Sequence, residues 1–200
     1  MIDTVEALRA LYPAPGERAR RKQLAALDRH CAAYIERSPF LVLSTHGADG
    51  LADASPRGGE PGFVQVLASD RLLVPDSPGN NRLDSLENIL RTGRIGLLFL
   101  IPGVDETLRV NGHAGLSDDP ALRARCRDTR RVPKLVIDVR VHEAYLHCAK
   151  ALMRSRLWDP SRHLTRSALP TMGEMISEQA GLEVSPETQE QMVVRYQADL

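Results

Sequence analysis

Between residues 40 and 142 the apolar residues recur mostly with a strand's period and are broken by short turns, with few stretches long enough for a helix. "FLVLST" (40–45) is a short apolar run ended by "HGADG" (46–50), a hairpin turn into "LADAS". "GFVQVLASDRLLVPD" predicts two further strands around Ser69 and Asp70. "RIGLLFLIP" (94–102) is apolar throughout, which predicts a strand buried on both sides. "ETLRVNGHAGLS" (106–117) alternates, placing Thr107, Arg109 and Asn111 on one face and Leu108 and Val110 on the other. "KLVIDVRVH" (134–142) alternates too, leaving one wet or ligand-facing side. Six or seven strands joined in this way favour a closed or nearly closed antiparallel barrel over a doubly wound sheet.

Helical spacing is found mainly at the flanks. Val5, Leu8 and Leu11 recur before Pro13, and a second helix is predicted from near Pro15 through Leu24, Leu27, Cys31, Tyr34 and Ile35. Inside the strand region, 83–92 is helical, with Leu83, Leu86, Ile89 and Leu90 on one face. Ser117, Asp118, Asp119 and Pro120 look like the cap and first turn of a short helix. In the tail, "TMGEMISEQAG" predicts a helix and "QEQMVVRYQADL" a helix or an arm. The chain divides into an N-terminal helical segment (1–38), a barrel domain (39–160) and a helical tail (161–200).

Lysine plus arginine and aspartate plus glutamate both total 26, so the formal net charge is zero. That balance argues against a bulk binder of nucleic acid or of an anionic membrane, and any anion site must be local. No apolar run approaches the roughly 20 residues a membrane helix needs. The N-terminus lacks a secretory apolar region, and Cys31, Cys126 and Cys148 form no framework or CxxC pair. The expectation is a cytoplasmic protein.

Four stretches suit a ligand. In "PDSPGNNRLDSLENIL" (75–90), Asn80, Asn81 and Arg82 stand at the mouth of a helix, whose unpaired N–H groups and dipole suit a phosphate; a plain turn explains the same residues. In "DASPRGGEPGF" (53–63), Ser55 and Arg57 follow a strand and Gly58 frees the backbone for close approach, as it would in a flexible hairpin. Thr107, Arg109 and Asn111 could line a pocket or face solvent. "HCAKALMRSRLWDP" (147–160) gathers Lys150, Arg154, Ser155, Arg156 and the single tryptophan, Trp158, suited to an anionic planar ligand or to a helix edge with Trp158 in the core. There is no GxSxG, HExxH, Walker loop or GxGxxG, and the histidines and cysteines fit no zinc spacing. A barrel with anion-suited loops and no acid–base set is what a cofactor-dependent protein presents.

"ADASPRGGEPGFVQVL", "LLVPDSPGNNRLDSLENIL", "GLLFLIPGVDETLRVNGHAGLS" and "HCAKALMRSRLWDP" together resemble the pyridoxamine 5′-phosphate oxidase-like, FMN-binding split-barrel family, over roughly residues 40–160. The resemblance implies a six-stranded split barrel working as a homodimer, with FMN at the subunit interface. It implies that Ser55, Arg57 and Gly58 border the flavin or its ribityl chain, and that Asn81 and Arg82, supported by Asn80, hold the phosphate. Thr107 and Arg109 would face the ring, and Lys150, Arg154, Ser155 and Trp158 would complete the site, some from the other subunit. The named oxidase has an Arg–Lys pair where this chain reads "NNR", and a C-terminal Arg- and Trp-bearing strand where this chain reads "HCAKALMRSRLW". Pyridoxamine phosphate oxidation is therefore not assigned. The function implied is FMN-dependent oxidoreduction of a small-molecule substrate, by hydride transfer at flavin N5. The alternatives are a flavin- or haem-binding protein without turnover, with His113, His142 and His147 as axial candidates, and a deazaflavin-dependent reductase, which would want a more basic groove.

Overall fold

The computed structural model describes residues 1–181 and 186–197. Seven strands form its centre: β1 (Phe40–His46), β2 (Ala52–Gly58), β3 (Gln65–Ala68), β4 (Arg71–Pro75), β5 (Arg94–Leu100), β6 (Thr107–Ser117) and β7 (Val136–His147). Every pairing is antiparallel, in the order β2-β1-β5-β6-β7-β4-β3. The sheet therefore has seven strands where the family resemblance implies six, and it is a split barrel that does not close. β3 has four residues and loses register against β4 between Val66 and Ala68, so it offers β2 few aligned backbone groups.

The strands bury one face. Leu41 and Leu43 of β1, Leu97 and Phe99 of β5, and Leu108 and Val110 of β6 meet Leu72, Val74 and Ile137 in one core, all at most 1% exposed. β5 corrects the expectation of burial on both sides: Ile95, Leu97 and Phe99 point inward, whereas Gly96, Leu98 and Leu100 are half-buried on the outer face. Its apolar outer residues are sheet surface, which composition alone cannot distinguish from core.

Eight α-helices surround the sheet among the described residues. α1 (Val5–Arg9) buries nothing. The single helix predicted from Pro15 to Ile35 is two, α2 (Glu17–Arg21) and α3 (Arg29–Arg37). Between them Leu24 exchanges both backbone hydrogen bonds with Ala144 of β7, at 3.0 and 2.9 Å, and Leu27 N–H donates to Ser69 O. Sheet pairing thus takes the backbone groups a helix would need. Asp28 then restarts the helix by accepting from the N–H groups of His30 and Cys31, and α3 delivers Cys31 and Ile35 to the core.

α4 (Asp84–Thr92) packs mainly against β1 and β6 and ends at Gly93, whose φ of +66° glycine adopts without strain. Leu86 and Ile89 are buried as predicted, but Leu83 and Leu90 are 50% and 71% exposed; Ser85 and Asn88 occupy the buried stripe instead. α5 (Pro120–Arg125) is capped by Asp119, and Cys126 just beyond it joins Leu73 and Val136 in a smaller cluster. α6 (Lys150–Ser155), α7 (Met172–Ala180) and α8 (Gln189–Gln197) follow. The last three residues of "QEQMVVRYQADL" lie outside the described residues. No helix among the described residues is long and apolar enough to cross a membrane.

Candidate functional site

β2 is an edge strand whose register decides where its polar residues go. Leu43 pairs with Ser55 and Leu41 with Arg57, so both site residues face the core side of the sheet. There α4 supplies hydroxyl and amide partners. Ser55 Oγ and Ser85 Oγ are 2.7 Å apart, and Ser85 donates to Asp53 Oδ2 at 2.6 Å. Thr45 reaches the same oxygen at 3.3 Å, and Asn88 donates to Thr45 Oγ1 at 3.1 Å. A connected buried polar network of this kind specifies how α4 sits on β1 and β2. Sequence reasoning singled out Ser55 but missed Thr45, Asp53, Ser85 and Asn88. The available signal was Ser85 and Asn88, spaced i, i+3 on the apolar face of an amphipathic helix.

The loop from Asp76 to Asp84 joins β4 to α4, with Asp76 N–H donating to Leu135 O. At one end, burial raises the Asp76 carboxyl pKa while the charges of Arg57 and Lys134 oppose that rise; at the other stands the Ser55–Ser85 contact. Asn80, Asn81 and Arg82 are exposed between them, with left-handed φ at Asn81 (+59°) and Leu83 (+61°). Asn80 Oδ1 accepts from Arg82 N–H at 3.1 Å, and Arg82 Nε donates to Asp84 at 2.8 Å. That hydrogen bond, then the Asp84 charge, raises the Arg82 pKa. The two terminal guanidinium nitrogens of Arg82 have no partner among the described residues. Leu83, the residue ahead of α4, supplies no side-chain cap. Arg57 donates from Nη1 to Pro56 O at 2.8 Å. Gly58 ends β2, where an added Cβ would meet Pro39 O at an ordinary 3.5 Å.

Thr107 and Arg109 lie on the other side of the sheet. Arg109 pairs with Leu98 and with Tyr145, and donates from Nη1 to the Tyr145 hydroxyl at 2.9 Å. Thr107 pairs with His147, and Asn111 donates to Glu143 at 2.6 Å, while Gln23 bonds the second Glu143 oxygen. A register shift at Asn111 and Gly112 follows, and the His113 and His142 rings stand edge to face, 5.0 Å apart. Next to them lies an open cleft of about 430 Å³, lined by Ser44, His46, Arg94, Asn111, His113 and Glu143 among others. Small-molecule sites run from roughly 300 to 1,000 Å³. His147 Nε2 is buried without a hydrogen-bond partner. Its pKa is lowered first by burial and then by the charges of Arg109 and Lys22.

The α6 residues sit at the Thr107 end of this outer face. Trp158 is half-buried and donates from Nε1 to Val104 O at 3.0 Å, fastening the chain after α6 to the loop between β5 and β6. Ser155 caps back onto Leu152 O at 3.0 Å, and Arg156 pairs with Asp159. Lys150 and Arg154 are exposed and make no hydrogen bond or ion pair among the described residues. The chain thus brings Ser55, Arg57 and the Asn80–Arg82 loop together on one side, and Thr107 and Arg109 on the other. β1 and β5 lie between β2 and β6, a separation of roughly 14 Å along the sheet.

An antiparallel sheet of seven strands that curls without closing defines the split-barrel class. The chain belongs to the pyridoxamine 5′-phosphate oxidase family, whose family model matches residues 27–148. That span holds all seven strands and α3 to α5, and it stops before Lys150. No curated protein matches the chain. Among solved structures, a HupZ variant from Group A Streptococcus is 15% identical, with a TM-score of 0.50, covering 60% of this chain and 99% of that one. An FMN-binding protein from Syntrophomonas wolfei is 12% identical, with a TM-score of 0.46 and coverages of 60% and 88%. A protein of Clostridium acetobutylicum related to general stress protein 26, of the pyridoxinephosphate oxidase family, is 12% identical, with a TM-score of 0.43 and coverages of 57% and 83%. At 15% identity the likeness to the HupZ variant is one of fold.

Proposed function

We propose that this chain is an FMN-dependent oxidoreductase acting on a small molecule as a homodimer. The observation that carries the reading is the extent of the family match, which contains both the Asn80–Arg82 loop and the outer face with Thr107 and Arg109. The residues present fit the cofactor. The terminal nitrogens of Arg82 and the first-turn N–H groups of α4, uncapped by Leu83, are donors for a phosphate. Gly96 leaves room in the cleft for a flat ring, since a side chain there would meet Asn111 Oδ1 and Ser44, and beyond the cleft the buried Nε2 of His147 lacks a partner.

When bound, FMN supplies hydride transfer at its ring N5. The chain's own residues hold and tune it: Ser55, Arg57 and Gly58 line one side, Asn80, Asn81 and Arg82 hold the phosphate, and Arg109 puts positive charge near the ring, which favours its taking electrons. Thr107 faces the same cleft side, and Lys150, Arg154, Ser155 and Trp158 close its end. Ser55 and Arg109 lie on opposite faces of one sheet, so a single flavin touching both kinds of residue takes them from two chains. This supports the homodimer, as does the half-exposed apolar strip of Val42, Leu98 and Leu100 on the outer face.

The test is the absorption spectrum of the purified protein and the mass of any ligand released on heating. Oxidised-flavin peaks with released FMN are expected, and Arg82→Ala should weaken retention ten-fold or more, since a charge-assisted contact contributes about 1.5–3 kcal/mol. A colourless protein that takes up no added FMN overturns the proposal. Anaerobic bleaching by NADH or NADPH separates an enzyme from a flavin store. The unpartnered His147 Nε2 favours one second reading, a haem-binding protein, which a Soret band in place of the flavin peaks would reveal.

A further inference from the structure

At the end of β7, Lys22, Arg109 and His147 converge on the ring of Tyr145. Lys22 donates from Nζ to Leu146 O at 2.7 Å and stands 5.6 Å from the Tyr145 ring centre. The Arg109 guanidinium is 5.5 Å from that centre and donates to the hydroxyl. The His147 ring lies 5.0 Å from the Tyr145 ring. Neither cation has a carboxylate partner among the described residues, and Glu143, on the same face, already accepts from Asn111 and Gln23. Two cations against the single charge of Glu143, with no ion pair to either cation among the described residues, leave a net positive charge on this face. The enclosed, unpartnered Nε2 of His147 adds a polar atom that a ligand would satisfy.

We propose that Lys22, Arg109, Tyr145 and His147 form an anion subsite that takes the phosphate or carboxylate group of the substrate. The assignment of this anion to the substrate rests on the flavin reading, in which the loop at Asn80–Arg82, on the opposite face of the sheet, serves the cofactor phosphate. All four groups donate. Lys22 keeps two of its three protons after bonding Leu146 O, and Arg109 keeps further N–H groups after bonding Tyr145. The Tyr145 hydroxyl accepts from Arg109 and so has its own hydrogen to give, and neutral His147 carries a proton on Nε2 in one tautomer. Charge-assisted donors of this kind bind small oxyanions well. Lys22 reaches the cluster because the Leu24–Ala144 bridge holds the chain flat against β7, which gives the interruption between α2 and α3 a role in the site.

The test titrates the FMN-loaded protein with inorganic phosphate and, separately, acetate, following the His147 ring by NMR and the heat by calorimetry. One saturable site per chain is expected, and the tighter of the two probes identifies the substrate group. Lys22→Ala and Tyr145→Phe should each weaken the tighter anion ten-fold or more, with FMN content unchanged. Lys22 is exposed and Tyr145→Phe keeps the ring, so both variants should fold. Lack of saturation by either anion, equal affinity in both variants, or release of FMN by phosphate overturns the proposal. If the protein takes up no FMN, the same titration on flavin-free protein still decides whether the subsite binds an anion, so the two failures are told apart.

Discussion

Ser55 and Arg109 point to opposite faces of one sheet. Ser55 reaches Ser85 beneath β2, whereas Arg109 reaches Tyr145 outside β6. If one ligand needs both, two copies of the chain must supply them, the β2 edge of one meeting the outer face of the other. Leu98 is the apolar residue beside Arg109 on that face. Leu98→Asp should turn a dimer into a monomer in sedimentation at micromolar concentration, because a charge on a desolvated contact is costly. A variant that stays dimeric would move the interface elsewhere.

Asp53 is the hub of the network beneath β2. Asp53→Ala leaves the 3%-exposed Ser85 and the 5%-exposed Thr45 without their acceptor. A loss of about 1–3 kcal/mol is expected, read as a shift in the denaturant midpoint. Asp53→Asn retains a carbonyl oxygen and should lose less. Equal losses would mean the carboxylate charge, not the acceptor, matters.

Gly112 marks the point where β6 and β7 change register. A Cβ placed there would stand 2.0 Å from Arg140 O, a backbone atom that cannot turn aside. Gly112→Ala should cost more than about 3 kcal/mol, in the range reserved for disrupted cores and strained backbone. Thermal unfolding measures this, and a wild-type midpoint would show that β7 shifts freely.

His147 makes stability depend on pH. Its folded pKa lies below its ordinary 6.5, because burial and the charges of Arg109 and Lys22 disfavour the cation. Below about 6.5 the unfolded chain takes up this proton first. The contribution of His147 is thus present above that pH and lost as pH falls through the folded pKa. Denaturant midpoints should therefore fall more between pH 7.5 and 5.5 in the wild type than in His147→Gln. Identical slopes would remove His147 as the cause.

The strand content of 40–142 and the alternation of Thr107, Arg109 and Asn111 against Leu108 and Val110 were legible because side-chain direction along a strand is a local property. The helix at 83–92 was legible from its period, but its buried face was not. Leu83 and Leu90 read as core until Asp53 and Thr45, more than thirty residues earlier in the chain, turned out to need Ser85 and Asn88. The break between α2 and α3 was hidden for a similar reason, since the partner of Leu24 is Ala144, 120 residues away.

By itself, then, the sequence determined most of the strands, the helix at 83–92, and which strand residues share a face. These follow from backbone geometry and side-chain period within a few residues. Only the tertiary structure decided which face of each strand is inside. It also decided that Ser55 and Arg109 stand back to back, and that Lys22 meets Arg109 and His147 around Tyr145. Those outcomes depend on the pairing register of strands far apart in the chain, where a shift of one residue would exchange inside for outside.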